Sequence, residues 1–246
     1  MSEPSQTLFP DAPEAPKATA PGPMEQLGGI FTDPTALFRR LHRAPSWGWA
    51  LGILIAASLL LTVVWALKVD PDAMLRPILE RNPQIQASQI DAIIDMQKKF
   101  LLPMAVVGTL FGTPAALALV ALFYWLMGKA LPEGPAPSFA HAFSAATVPA
   151  LVKLPHILLI LLICLLRPIA GLTPEKLAPT SLGYFLHPES LRLQALAYSL
   201  DLFALAEAGL SFLALRHLVR MKSSGAVICV LLPLLAGIAL RLLGAK

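Results

Sequence analysis

WGWALGILIAASLLLTVVWAL, residues 47–67, carries no ionisable side chain and is about as long as the ~20 apolar residues an α-helix needs to cross a hydrocarbon core of ~30 Å. Trp47 and Trp49 stand at its start and Trp65 near its end, the placement of an aromatic belt that anchors a span at both interfaces. The stretch reads as a membrane-spanning helix. Four further apolar segments follow, at 101–127, 144–166, 195–215 and 226–243, so the expected fold is all-α and polytopic, with five transmembrane helices. The second is long enough to tilt or to begin outside the lipid, and Gly108, Gly112 and Pro114 interrupt it. The fifth is the shortest and contains Pro233. An odd number of crossings places the two termini on opposite sides.

The composition agrees. Of 246 residues 56% are hydrophobic and only 14% charged, which departs from a soluble globular chain toward one solvated by lipid. The net charge of +4 comes from scattered Lys and Arg, without the basic stripe interleaved with aromatics that nucleic acid requires. Cys164 and Cys229 fall inside apolar runs and read as small buried hydrophobes rather than as a disulfide or metal pair.

Upstream of the first span, residues 1–23 hold Pro4, Pro10, Pro13, Pro16, Pro21 and Pro23 among Ala, Ser and Glu, with little to bury. The expected organisation is a disordered Pro/Ala-rich cytoplasmic tail over 1–27 and a membrane domain over 28–246. No secretory signal is legible, so the first span is expected to act as its own uncleaved insertion signal. From Ile30 to Arg43, Asp33 caps a helix that opens on Pro34 and gathers Leu37, Phe38 and Leu41 on one face. Arg39, Arg40 and Arg43 fall mainly elsewhere. That division suits an amphipathic helix in the headgroup layer with its arginines toward anionic lipid; a plain connector is the alternative.

Between the first two spans, Ser88 to Phe100 has the pattern of a polar-faced helix that caps the bundle or rests on the interface. The stretch 167–194 holds Pro168, Pro174, Pro179 and Pro188 and is expected to be irregular, with a short turn at Pro174–Leu177. With the N-terminus inside, the cytoplasmic side receives 8 of the 19 basic residues and the other side 10, so totals do not decide orientation. The densest short flanks, Arg39 to Arg43 and Arg216 to Lys222, favour a cytoplasmic N-terminus.

Ionisable groups within spans cost on the order of 2.5 to 3.5 kcal/mol each at mid-membrane on insertion scales, which makes them the first candidates for function. Here they are Lys153, His156, Asp201 and Glu207. Lys153 lies about nine residues into the third span and Glu207 about eight from the matching end of the fourth, depths of roughly 14 and 12 Å, so the two can meet. A proton or ion relay and a structural pair that locks the two spans are both open, with the structural pair preferred. Asp201, near the outer end, is within reach of water or a loop. Pro114, Pro149, Pro155 and Pro233 each remove a backbone hydrogen bond, and two of them flank Lys153.

No HExxH, GxSxG, Gly-rich phosphate loop with a following Lys, or paired CxxC occurs, and no cofactor is expected. His42, His141, His187 and His217 lie in separate segments without metal-ligand spacing.

Four segments carry a resemblance. They are GGIFTDPTALFRRLHRAPSWGWALGILIA at 28–56, SQIDAIIDMQKKF at 88–100, FSAATVPALVKLPHILLILL at 143–162 and SLDLFALAEAGLSFLALRHLVRMKSSGAV at 199–227. In this order they resemble the Yip family of Ypt-interacting multi-pass membrane proteins, in its bacterial branch. Glu207 departs from the apolar or Trp residue the resemblance leads one to expect. The resemblance implies five spans, a cytosolic N-terminus and no enzymatic chemistry. Its eukaryotic relatives bind Rab-type GTPases, a role for which no matched residues are found here.

The function expected is therefore that of a non-enzymatic membrane organiser, or scaffold, in the bacterial inner membrane. Its partners would be the lipid bilayer and proteins of unspecified identity, with self-association left open and no nucleic acid. A small transporter or permease subunit using Lys153 and Glu207 is the alternative.

Overall fold

A computed structural model describes residues 19–186 and 190–244; the first 18 residues of the expected tail, His187 and Pro188 lie outside it. Helix α1 (Pro23–Thr32) begins inside the stretch read as tail, because Pro23 suits a first helical position and the Glu25 carboxylate accepts from the Gly22 N–H at 3.1 Å. Helix α2 (Pro34–Arg43) follows at once, its N-terminus capped by the Asp33 carboxylate, which accepts from the Ala36 N–H at 2.9 Å.

Among the described residues, four helices are long and apolar enough to cross a membrane: Gly48–Lys68, Ala87–Ala130, Phe139–Leu166 and Ser223–Leu243. The first is α3 (Gly48–Lys68), which coincides with the segment read at 47–67. The second joins α5 (Ala87–Val107), a π-helical turn at Gly108–Gly112 and α6 (Thr113–Ala130) into 44 continuous residues, about 66 Å at 1.5 Å per residue. The polar-faced Ser88–Phe100 stretch is thus continuous with the helix that follows it. It is held to α4 (Pro71–Leu79) by Arg76, whose guanidinium donates to Asp91 and Asp72 at 2.8 Å each. The glycine-rich turn and Pro114 widen one turn without breaking the rod.

The third span is α7 (Phe139–Thr147), a 3₁₀ stretch at Pro149–Lys153 and α8 (Leu154–Leu166). The fourth expected span, 195–215, is not one helix. It divides into α11 (Leu191–Ser199) and α12 (Leu202–His217), because the backbone at Leu200–Leu202 pairs with residues 180–182. The Leu182 N–H donates to the Leu200 carbonyl at 2.9 Å and the Leu202 N–H to the Thr180 carbonyl at 3.2 Å. Helix α12 keeps 16 residues, about 24 Å, short of the ~30 Å a hydrocarbon core demands. The last element, α13 (Ser223–Gly244), runs through Pro233 as one helix. In the loop expected to be irregular, α9 (Pro174–Leu177) forms where a turn was read, and α10 (Leu182–Leu186) follows.

Loops fix which ends lie together. Pro132 and Met221 form a bridge, so the α6–α7 loop lies against the α12–α13 loop, and the His42 Nδ1–H donates to the Leu218 carbonyl at 2.8 Å, which brings α2 to the same end. At the opposite end, Lys68 Nζ donates to the Leu165 carbonyl at 2.9 Å and Trp65 Nε1 to the Leu172 carbonyl at 2.9 Å.

Two apolar clusters correspond to the two ends. The larger, at the N-terminal end, includes Phe38, Leu41, Tyr124, Phe143, Leu151 and Leu215; the smaller includes Val69, Ile160, Cys164 and Ile169. Small buried residues on α7, among them Ala142, Ser144 and Ala145, let it approach α6 closely. Cys164 and Cys229 are buried, unbridged and in different clusters.

Candidate functional site

The proline pair around Lys153 shapes the first part of the site. Pro149 opens the 3₁₀ stretch and Pro155 occupies the first turn of α8, so neither donates a backbone hydrogen bond, and Lys153 stands at the junction of two helical windings. From there its Nζ reaches the Glu207 Oε2 of α12 at 2.5 Å. The lysine side chain is 41% exposed and the glutamate 24%, so the pair faces open space on one side.

About 9 Å along α12, at its capping residue, a second polar group forms. One Asp201 oxygen accepts from the Phe203 and Ala204 N–H groups at 2.8 and 3.2 Å, which starts the helix. The other accepts a short hydrogen bond from the Thr180 hydroxyl. Because that proton is committed, His156 Nδ1, 2.9 Å from Thr180 Oγ1, is the donor of its own contact. The His156 ring packs edge-on to Phe203 at 5.5 Å between centroids. Of the four residues read from the sequence, Lys153 is joined to Glu207 and His156 to Asp201 through Thr180.

Two cavities meet at this point. One, of about 360 Å³, is lined by Lys153, His156, Glu175, Tyr198, Asp201 and Arg241 with apolar residues of α13. The other, of about 300 Å³, is lined by Lys153, Glu207, Ser211 and Tyr124. Lys153, Ala204, Pro233 and Leu234 border both.

Arg39, Arg40 and Arg43 form the second part, exposed on α2 while Leu37, Phe38 and Leu41 beneath them are 4%, 0% and 0% exposed. The apolar face expected to enter the headgroup layer is instead covered by the bundle, chiefly by α12, α1 and α7. Arg40 pairs with Glu25 at 3.0 Å. Around the arginines lie Lys129, Arg216, Arg220 and Lys222, against the acidic Glu25, Asp33 and Glu133 among the described residues at this end. Arg216 is held by Glu133 and donates to the Met221 carbonyl at 2.6 Å. His42 and His141 meet at 5.3 Å between ring centroids, with the His141 Nε2–H donating to the His42 carbonyl at 3.0 Å; they serve as backbone clamps.

Sequence reasoning missed Thr180, Tyr124, Ser211, Glu175 and Arg241. Ser211 was within reach, since it lies four residues from Glu207 on the same helix face. Thr180 carried no signal, because only the chain fold brings it to Asp201. Among the described residues no three His, Cys, Asp or Glu side chains are grouped to hold a metal ion.

An all-helical bundle with four apolar helices of spanning length and a charged pair inside it defines a multi-pass integral membrane protein. Residues 28–243 match the Yip1 domain, and the chain belongs to the Yip1 family. No curated protein and no solved structure matches it.

Proposed function

We propose that this protein is a non-enzymatic organiser of the bacterial inner membrane that crosses it five times, with α12 as a short crossing and the N-terminal end in the cytoplasm. Its basic end grips anionic headgroups and recruits protein partners. The observation that carries the reading is α2. With Leu37, Phe38 and Leu41 locked into the core, Arg39, Arg40 and Arg43 are held at a fixed height above the bundle. Anionic leaflets attract such residues by about 1 kcal/mol each. The domain thus presents a rigid basic platform, in place of an inserting helix.

The test uses full-length protein in discs of neutral lipid and measures capture of vesicles rich in phosphatidylglycerol. Replacing Arg39, Arg40 and Arg43 by Gln is expected to weaken capture on the order of a hundredfold, and added salt to weaken the wild type. Equal capture by the triple variant, together with an unchanged set of crosslinked partners in cells, would remove the proposal.

The cavities beside Lys153 support a second reading, a small transporter or permease subunit, since a pathway requires its ionisable groups to border open space. Solute or proton flux in reconstituted vesicles that is abolished by Lys153→Met would favour it; unchanged flux would count against it.

A further inference from the structure

The larger cavity has features that neither reading uses. It lies at the side of the bundle, where α12 has been interrupted and the far half of α13 stands partly free, with Leu235, Leu240 and Leu243 exposed at 59%, 70% and 70%. Arg241 and Glu175 both line it. They carry opposite charges, yet neither forms an ion pair with the other or with any described residue. Arg241 lies two turns beyond Pro233 on α13, about 12 Å toward the end of the helix, so the cavity has a depth as well as a rim. Its wall on the α13 side includes Leu234 and Ile238, and His156 and Lys153 line it as well.

We infer that this cavity binds the headgroup of a zwitterionic phospholipid, with the phosphate at Arg241 and the amine toward Glu175. A phosphate ester and an amine a few ångströms apart match two opposite charges that share a cavity without neutralising each other. The volume of about 360 Å³ falls in the range of small-molecule sites. The bilayer is the source because one wall is the apolar flank of a helix that otherwise faces lipid, so acyl chains can lie along Leu234 and Ile238 while the headgroup enters. Interruption of α12 at Leu200–Leu202 makes room for it.

The experiment uses full-length protein in bilayer discs doped with a photoactivatable phosphatidylethanolamine, and reads crosslinks to peptides of α12 and α13. Arg241→Gln is expected to lower labelling tenfold or more, while Arg81→Gln, an exposed cation at the same end, leaves it unchanged. Gly237 also lines the cavity, and a Cβ there meets no atom within 4 Å, so Gly237→Leu has room for a side chain at the cavity wall and is expected to abolish labelling. Full labelling in Gly237→Leu, or equal labelling by a photoactivatable diacylglycerol that lacks the phosphate, would overturn the inference. Displacement by soluble glycerophosphoethanolamine would overturn the lipid assignment by moving the ligand into water.

Discussion

Lys153 and Glu207 each make the other tolerable in the bundle. Removing one leaves the second charged and unpaired, whereas removing both leaves only a polarity change. Lys153→Met alone is expected to destabilise the protein in detergent on the order of 2 kcal/mol, less than for a fully enclosed pair because the lysine is 41% exposed. Lys153→Met with Glu207→Leu is expected to recover most of that loss. Equal melting of all three proteins would show that the pair is not holding α12 to the 3₁₀ stretch. Gly171 makes a different kind of demand: a Cβ there would lie 2.6 Å from the Ala73 carbonyl carbon and the Met74 nitrogen, backbone atoms that cannot swing away. Gly171→Ala is therefore expected to cost about 1 to 3 kcal/mol, readable as a lowered Tm.

At the level of elements, the junction between α11 and α12 depends on Asp201. Asp201→Ala removes the cap and the acceptor of the Thr180 hydroxyl, and is expected to cost about 1 to 2 kcal/mol, with faster hydrogen exchange over 180–182 and 200–204 as the local signature.

The elements also differ in how far the chain announced them. The similar depths of Lys153 and Glu207 follow from counting residues along two helices, and the structure brings the side chains together. The α12 break could not be counted. Hydropathy averages over Leu200 and Asp201, while the interruption is made by a strand-like contact with residues 180–182, a tertiary event. For α2 the periodicity located the apolar face but could not say what covers it, because lipid and protein satisfy Leu37, Phe38 and Leu41 equally well in sequence terms.

For the whole molecule, the consequence lies in α12. Leu202 and Leu205 point outward along it at 64% and 53% exposure, while the helix covers about 24 Å. As the fifth crossing proposed above, it presents the surrounding bilayer with a stripe some 6 Å too short, whereas α3, with 21 residues, covers about 31 Å. Lipid meets that discrepancy by thinning locally, at a fraction of a kcal/mol per ångström. The protein is thus expected to partition into shorter-chain phosphatidylcholine when reconstituted in mixtures of two acyl lengths, as quenching by brominated lipid would report. A bundle with one thin side has a polarity in the membrane plane, and several copies arranged around a common patch would draw their short sides together and gather thin lipid between them.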